Sequence, residues 1–484
     1  MSVESLLQTP EGKRLEFKCN FSSPKKLLKT LVAFANSAGG KLIVGVNDDR
    51  HVVGVEAPLD QEERLCSLIA DSIVPRLAPN IELTTVENKT LLLVEVFLSN
   101  LRPHYLRAEG PTNGVYVRLG STNRQADQEL IAELRRSAEG MAFDEMPMSA
   151  LTADALDLQA AQAIFGERRT LNKKSLQTLK LLVPHQGHLV PTKGAIFLFG
   201  KERTFHFPDA WVQCGRFIGC DKADIFDHIE LDEPLPQLVD SILLFLKKHA
   251  MRGADFSEIR RKDVWSIPLL ILREAVINAL VHADYSQRGA PIRIAFFDDR
   301  IEVESPGILL PGMTIEDMKA GISKIRNPVL ARVFHELSLI EQWGSGVPRI
   351  FTQAKEQGLP EPELQEIGMR LRFTVRLAHS IEVAESVANV PPGPESRLES
   401  RLESSLAAKV VAYLAEAPAG KAALAKRLGH KSVSGELHKQ VRRLLDAGWI
   451  EMTLPDKPSS RLQRYQLTKQ GRSWLASSKK EKTR

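Results

Sequence analysis

The 484-residue chain is poor in cysteine, and its four thiols, Cys19, Cys66, Cys214 and Cys220, are scattered without the paired spacing of a zinc site or a disulfide framework. They are expected to be reduced and packed. No stretch offers the roughly 18 or more apolar residues that span a bilayer, so no membrane-crossing helix is expected. The opening MSVESLLQTPEGKRLEFK has no apolar core of the signal-peptide kind, so the expected setting is the cytoplasm. A phosphate-binding P-loop is missing as well. The nearest approach, GAIFLFGKE at Gly194 to Glu202, has five residues between its glycines and Glu202 after the lysine, where the motif needs four and then Ser or Thr for Mg²⁺. A helicase motor of the usual kind is therefore not expected.

What is present is an ordinary globular composition, 43% hydrophobic and 26% charged, at a length that suggests about three domains. Charge is unevenly spread. Residues 421–484 hold sixteen Lys and Arg against five Asp and Glu, a local +11 that leaves −6 for the rest of a chain whose total is +5. Nucleic acid is the natural partner of such an end.

Local patterns divide the chain. Residues 1–140 alternate strand and helix: KRLEFKCN is a strand, SPKKLLKTLVAFANSAGG a helix with a Ser-Pro start and a Gly39-Gly40 stop, and KLIVGVNDDRHVVGV a hairpin turning at Asn47 to Arg50. Residues 150–260 read as a helical and mixed connector. Residues 261–380 hold a helix, the strand signals PIRIAFFDD and RIEVESPG, a long loop from Ile308 to Leu337, a Gly-rich turn and the closing strand RLRFTVRL. A Pro-rich stretch at 381–404 reads as a linker. Residues 405–476 read as helix, turn, helix and hairpin. The fold class is thus α+β and multidomain.

Within REAVINALVHADY, Glu274, Asn278 and His282 stand four apart among alanines, valines and leucines. A step of four drifts only about 40° around a helix, so they share one ridge. Such a ridge either satisfies an internal need or meets a ligand. With the two strands, the Pro306-Gly307 turn and the Gly344-Ser345-Gly346 turn that follow, it resembles the GHKL ATPase fold of histidine kinases, gyrase and MutL, and more closely the divergent ATPase domain of bacterial RecG-like proteins. The resemblance implies an α/β sandwich binding ATP and Mg²⁺. Glu274 would orient or deprotonate the attacking water, Asn278 would hold Mg²⁺, and Ser305, Gly307, Gly344, Ser345 and Gly346 would line the nucleotide. Kinases and gyrases place an Asp in the first glycine turn for the adenine amino group; here Glu304-Ser305 stands instead. His282 is expected to pack. A nucleotide-free dimerising scaffold is the competing reading of the same residues.

The combination EFK, FANSAGG and GVNDD resembles the Schlafen-type AlbA domain over about residues 1–110. For nuclease members, the resemblance implies a carboxylate site of Glu11, Glu16 and Asp48 that holds Mg²⁺ or Mn²⁺, with Lys18 neutralising phosphate charge. Other members bind nucleic acid without cleaving it. The basic C-terminus resembles a winged helix, in which Ser434 and His438 would face base edges and Lys439, Arg442, Arg443, Arg461 and Arg464 would meet phosphates. The expected function is an ATP-binding, DNA-binding transcriptional regulator, homo-oligomeric and not membrane-bound, with RNA left open as a target. An ATP-controlled nuclease, acting in defence against foreign nucleic acid, and a non-catalytic scaffold stand as alternatives.

Overall fold

A computed structural model describes residues 3–255, 262–340 and 346–377, and parts of 410–472. Two compact units divide the chain at Glu382.

In the first unit a short helix, Val3–Leu7, precedes strand β1 (Leu15–Lys18), helix α1 (Pro24–Asn36) and strand β2 (Gly40–Val44). β1 and β2 pair in parallel, which requires the helical crossover between them. α1 starts with a proline in its first turn, where the missing N–H costs nothing. Strands β3 (Asn80–Val86) and β4 (Lys89–Val96) form a hairpin whose two turn residues, Glu87 and Asn88, both have positive φ. β4 then pairs with β2. The hairpin expected after β2 is reduced to one bridge, Val46 with Val52, because both edges of β2 are already occupied by β1 and β4. Helix α2 (Gln128–Ala138), capped by the Asp127 side chain on the Leu130 N–H, follows.

Residues 212–376 build one six-stranded sheet. In chain order its strands are β5 (Val212–Ile218), β6 (Asp224–Leu231), β7 (Ile292–Phe296), β8 (Arg300–Pro306), β9 (Glu363–Ile367) and β10 (Arg370–Arg376), arranged β6-β5-β7-β8-β10-β9. The boundary expected at residue 260 therefore runs through a continuous sheet. β5 pairs in parallel with β7, and one hydrophobic core spans Leu156 to Leu377. The stretch expected to be a connector is part of that domain.

Helices α3 (Leu235–Ala250) and α4 (Leu269–His282) pack against this sheet, α7 (Gly346–Glu356) packs on α4 and α5 (Ile315–Lys319) on α7, and α6 (Pro328–Glu336) adds Val329, Leu330 and Phe334 to the same core. The expected long loop contains two of them. Thr314 and Asp317 form a reciprocal capping box that starts α5, and Pro328 sits in the first turn of α6.

In the second unit, helix α8 (Lys421–Arg427) and the antiparallel strands β11 (Ile450–Met452) and β12 (Tyr465–Leu467) surround a small core including Val411, Leu424, Leu444, Trp449 and Tyr465.

Candidate nucleotide site

α4 is apolar nearly all round, and its half-buried positions within the motif include Glu274, Asn278 and His282. This face borders a cavity of about 480 Å³. The C-terminal end of the helix is fixed by Asn327, whose amide donates to the Val281 and Ala283 carbonyls at 2.8 and 2.7 Å. Just beyond, the Asp284 N–H donates to the Pro306 carbonyl at 2.8 Å, which ties the helix end to the end of β8.

Three other expected residues reach the same cavity. Ser305, buried on β8, lines it, as do Gly307 and Gly346. Gly307 has φ +99°, a conformation that side-chain-bearing residues rarely adopt. A Cβ on Gly346 would fall 2.6 Å from Glu274 Oε2 and 3.8 Å from the Asn278 amide nitrogen, so glycine lets the start of α7 approach both polar groups. Gly344 and Ser345 lie outside the described residues.

Strand alternation resolves the first glycine turn. Glu304 points away from its neighbour Ser305 and accepts from Arg372 on β10, with N–O distances of 2.5 and 2.9 Å. The polar side chain this strand end offers to the cavity is therefore the neutral hydroxyl of Ser305. His282 lines the cavity and has no hydrogen-bond partner among the described residues; desolvation lowers its pKa to about 4, which keeps the ring neutral near pH 7. It contributes an edge to the cavity rather than a cation.

The cations come from residues that sequence reasoning did not single out. Lys324, Arg326, Arg332 and Arg349 all line the cavity, whereas Glu274 is the one acid among its described lining residues. Ile277, Val281, Val303 and Phe373 supply an apolar side. The enclosure thus offers apolar surface, a cationic wall, and a carboxylate and an amide four residues apart. That combination suits a ligand with a flat apolar part and a polyanionic tail. Its residues also fit Mg²⁺, since an amide oxygen and a carboxylate are hard ligands at the end where Gly346 allows close approach.

The N-terminal carboxylates are arranged differently. The structure does not assemble them into a metal site: among the described residues, no three His, Cys, Asp or Glu side chains could share an ion. Glu11 accepts from the Phe17 N–H at 2.8 Å, and Asp48 is exposed on the turn after β2. Glu16 is buried and held on one oxygen by Lys18 and on the other by Arg118. Arg118 is itself fully buried and also donates to the Gly12 carbonyl and Asn123 Oδ1, at 3.1 and 3.0 Å. Lys18 therefore neutralises Glu16, and the expected Mg²⁺ or Mn²⁺ centre has no shared set of ligands here. Of the expected DNA contacts, Arg464 is exposed beside β12, while Ser434, His438, Lys439, Arg442, Arg443 and Arg461 lie outside the described residues.

Three family models match separate parts of the chain. Residues 11–127 match the family model "Schlafen, AlbA_2". Residues 289–377 match "Putative ATP-dependent DNA helicase recG C-terminal", a match that begins after α4, so the placement of Glu274 and Asn278 rests on the geometry above. Residues 407–468 match the C-terminal domain of Fic-like proteins, "filamentation induced by cAMP". No curated protein matches the chain. Among solved structures, the DIP2311 protein of Corynebacterium diphtheriae is similar at 19% identity, covering 96% of this chain and 98% of its own, with a TM-score of 0.40. The N-terminal domain of a RecG-related protein from Nitrosomonas europaea is 31% identical, covering 26% of this chain and 94% of its own, with a TM-score of 0.21.

Proposed function

We propose that this chain, parts of which match the Schlafen AlbA_2 and recG C-terminal family models, is a DNA-binding transcriptional regulator controlled by Mg-ATP. The observation that carries the reading is the cavity beside α4, where Glu274, Asn278, Ser305, Gly307 and Gly346 meet around about 480 Å³ with four cationic side chains.

In this reading the apolar side takes the base and the cationic wall takes the phosphates. Asn278 holds Mg²⁺, whose charge offsets that of the phosphates. Glu274, beside Asn278 on the same ridge, positions water for attack. Ser305 hydrogen-bonds the base through a group that both donates and accepts. The +11 of residues 421–484 supplies the electrostatic attraction to DNA, with a winged helix as the reading unit. Target choice would follow from Ser434 and His438, and affinity from Lys439, Arg442, Arg443, Arg461 and Arg464.

The test uses the full chain with labelled duplex DNA, with and without Mg-ATP, across a salt series. Retention without cleavage is expected, with log K falling as log salt rises by about 0.9 per phosphate contact. A change in affinity on adding Mg-ATP supports the control. Absence of DNA binding removes the regulator reading, and metal-dependent cleavage replaces it with the nuclease.

A further inference from the structure

One wall of the cavity is formed by the segment between Gly307 and Arg326, and the N-terminal part of the same unit grips that segment. Ile308 belongs to a small core otherwise built from Val115 to Leu134. The Gly312 N–H donates to the Ser37 carbonyl at 2.6 Å. Arg14 donates to Asp317 at 2.9 Å and to the Gly312 carbonyl at 3.1 Å. Glu366 accepts from Lys13 at 2.7 Å and from the Leu309 N–H at 2.8 Å, so one carboxylate joins the N-terminus to a residue that lines the cavity.

The decisive contact is at Arg326. Its side chain is 8% exposed, lines the cavity, and donates to Glu133 on α2 and to the Ile308 carbonyl. Its Nε–H is buried with no acceptor among the described residues. Gly307 makes room for it: a Cβ there would sit 3.2 Å from the guanidinium carbon. Burial lowers the Arg326 pKa to about 10, which still leaves it charged near pH 7. A guanidinium has five donors in a fixed fork, and the two contacts named here leave spare ones. Glu133 is also buried, at 9% side-chain exposure, so a ligand that pulled Arg326 away would strand its charge. The pair therefore stays together and fixes the fork in one orientation.

We infer that the N-terminal region completes the nucleotide site, with Arg326 contacting the ligand's phosphates and Glu133, 193 residues earlier in the chain, acting as its positioning residue. This rests on the nucleotide reading above. It makes polyphosphate affinity depend on a side chain outside the sheet domain, and it leaves base recognition untouched.

The experiment measures binding of three probes to the full chain by titration calorimetry: Mg-ATP, inorganic tripolyphosphate with Mg²⁺, and adenosine. Charged hydrogen bonds are worth enough that Arg326→Gln and Glu133→Ala should each weaken ATP and tripolyphosphate by about tenfold, with adenosine unchanged. Glu133→Gln, which keeps an acceptor for Arg326, should recover most of the loss. In the Arg326→Gln background, Glu133→Ala should have no further effect. Should Glu133→Ala fail to fold, Glu133→Gln carries the same comparison, with a small loss in the native background and none beside Arg326→Gln. The inference is overturned if the Glu133 variants leave tripolyphosphate affinity unchanged, weaken adenosine equally, or act additively with Arg326→Gln. Native protein that binds ATP with unchanged affinity in every variant overturns this inference alone; native protein that binds neither ATP nor tripolyphosphate overturns the nucleotide reading with it.

Discussion

Glu274 and Glu16 are both acids set among apolar residues, with side-chain exposures of 13% and 9%, yet they have different surroundings. Glu16 has a cation on each oxygen, one of them the fully buried Arg118. Its charge is consumed inside the fold. Glu274 stands 3.4 Å from Arg273 and borders a cavity whose other charged lining residues, among those described, are all cationic. What separates a structural carboxylate from a candidate working one is thus the presence of space beside it, more than its depth.

Removing each acid's partners or space should expose that difference. The largest effect is expected from Glu16→Ala, which strands the buried Arg118 and should lower unfolding free energy by about 3–5 kcal/mol, as read by urea denaturation. A change below about 1 kcal/mol would place Glu16 with exposed ion pairs instead. Next is Asn278→Ala, a half-buried residue on the cavity side of α4, which should weaken Mg-ATP by at least about tenfold while the thermal midpoint stays near that of the native chain.

Gly346→Ala sharpens the contrast further. The new methyl would meet Glu274 Oε2, the mobile end of a side chain, so the carboxylate moves and the fold does not. Gly346 opens α7 and its nearest neighbour is that flexible side-chain end, so stability should hold while ATP turnover falls. Unchanged turnover in a steady-state phosphate-release assay would remove Glu274 from the proposed chemistry.

The last effect is confined to acid pH. His282 has a folded-state pKa of about 4, below its ordinary value near 6.5, because burial disfavours the charged ring. Between those values the unfolded chain binds a proton that the folded chain refuses, so stability declines as pH falls from about 6.5 to 4. His282→Gln should flatten that part of the acid limb in a series of denaturation curves. An unaltered limb would mean that the ring protonates without penalty.

Much of the candidate site was legible because its signals are local. A four-residue polar spacing on an apolar helix and glycines at two turns are visible within short windows, and those residues meet at one cavity. What stayed hidden is non-local. Arg118 neutralises Glu16 from 102 residues away, so no window around EFK shows that the carboxylate is taken. β5 finds its parallel partner β7 across a long crossover, Val212 opposite Ile292, which is why residues 150–260 resembled a connector. Lys324, Arg326, Arg332 and Arg349 belong to no local motif, and only the tertiary fold brings them to the cavity wall. The capping box at Thr314 and Asp317 was a local signal that could have revealed α5.

The central claim is that the ridge on α4 belongs to a nucleotide site, and titration calorimetry of the full chain with ATP, with and without Mg²⁺, tests it most directly when native protein and Asn278→Ala are compared. Saturable Mg²⁺-dependent binding of one ATP per chain, lost in the variant, is the predicted result. Absence of binding in the native chain, or equal binding by a folded Asn278→Ala, would contradict it.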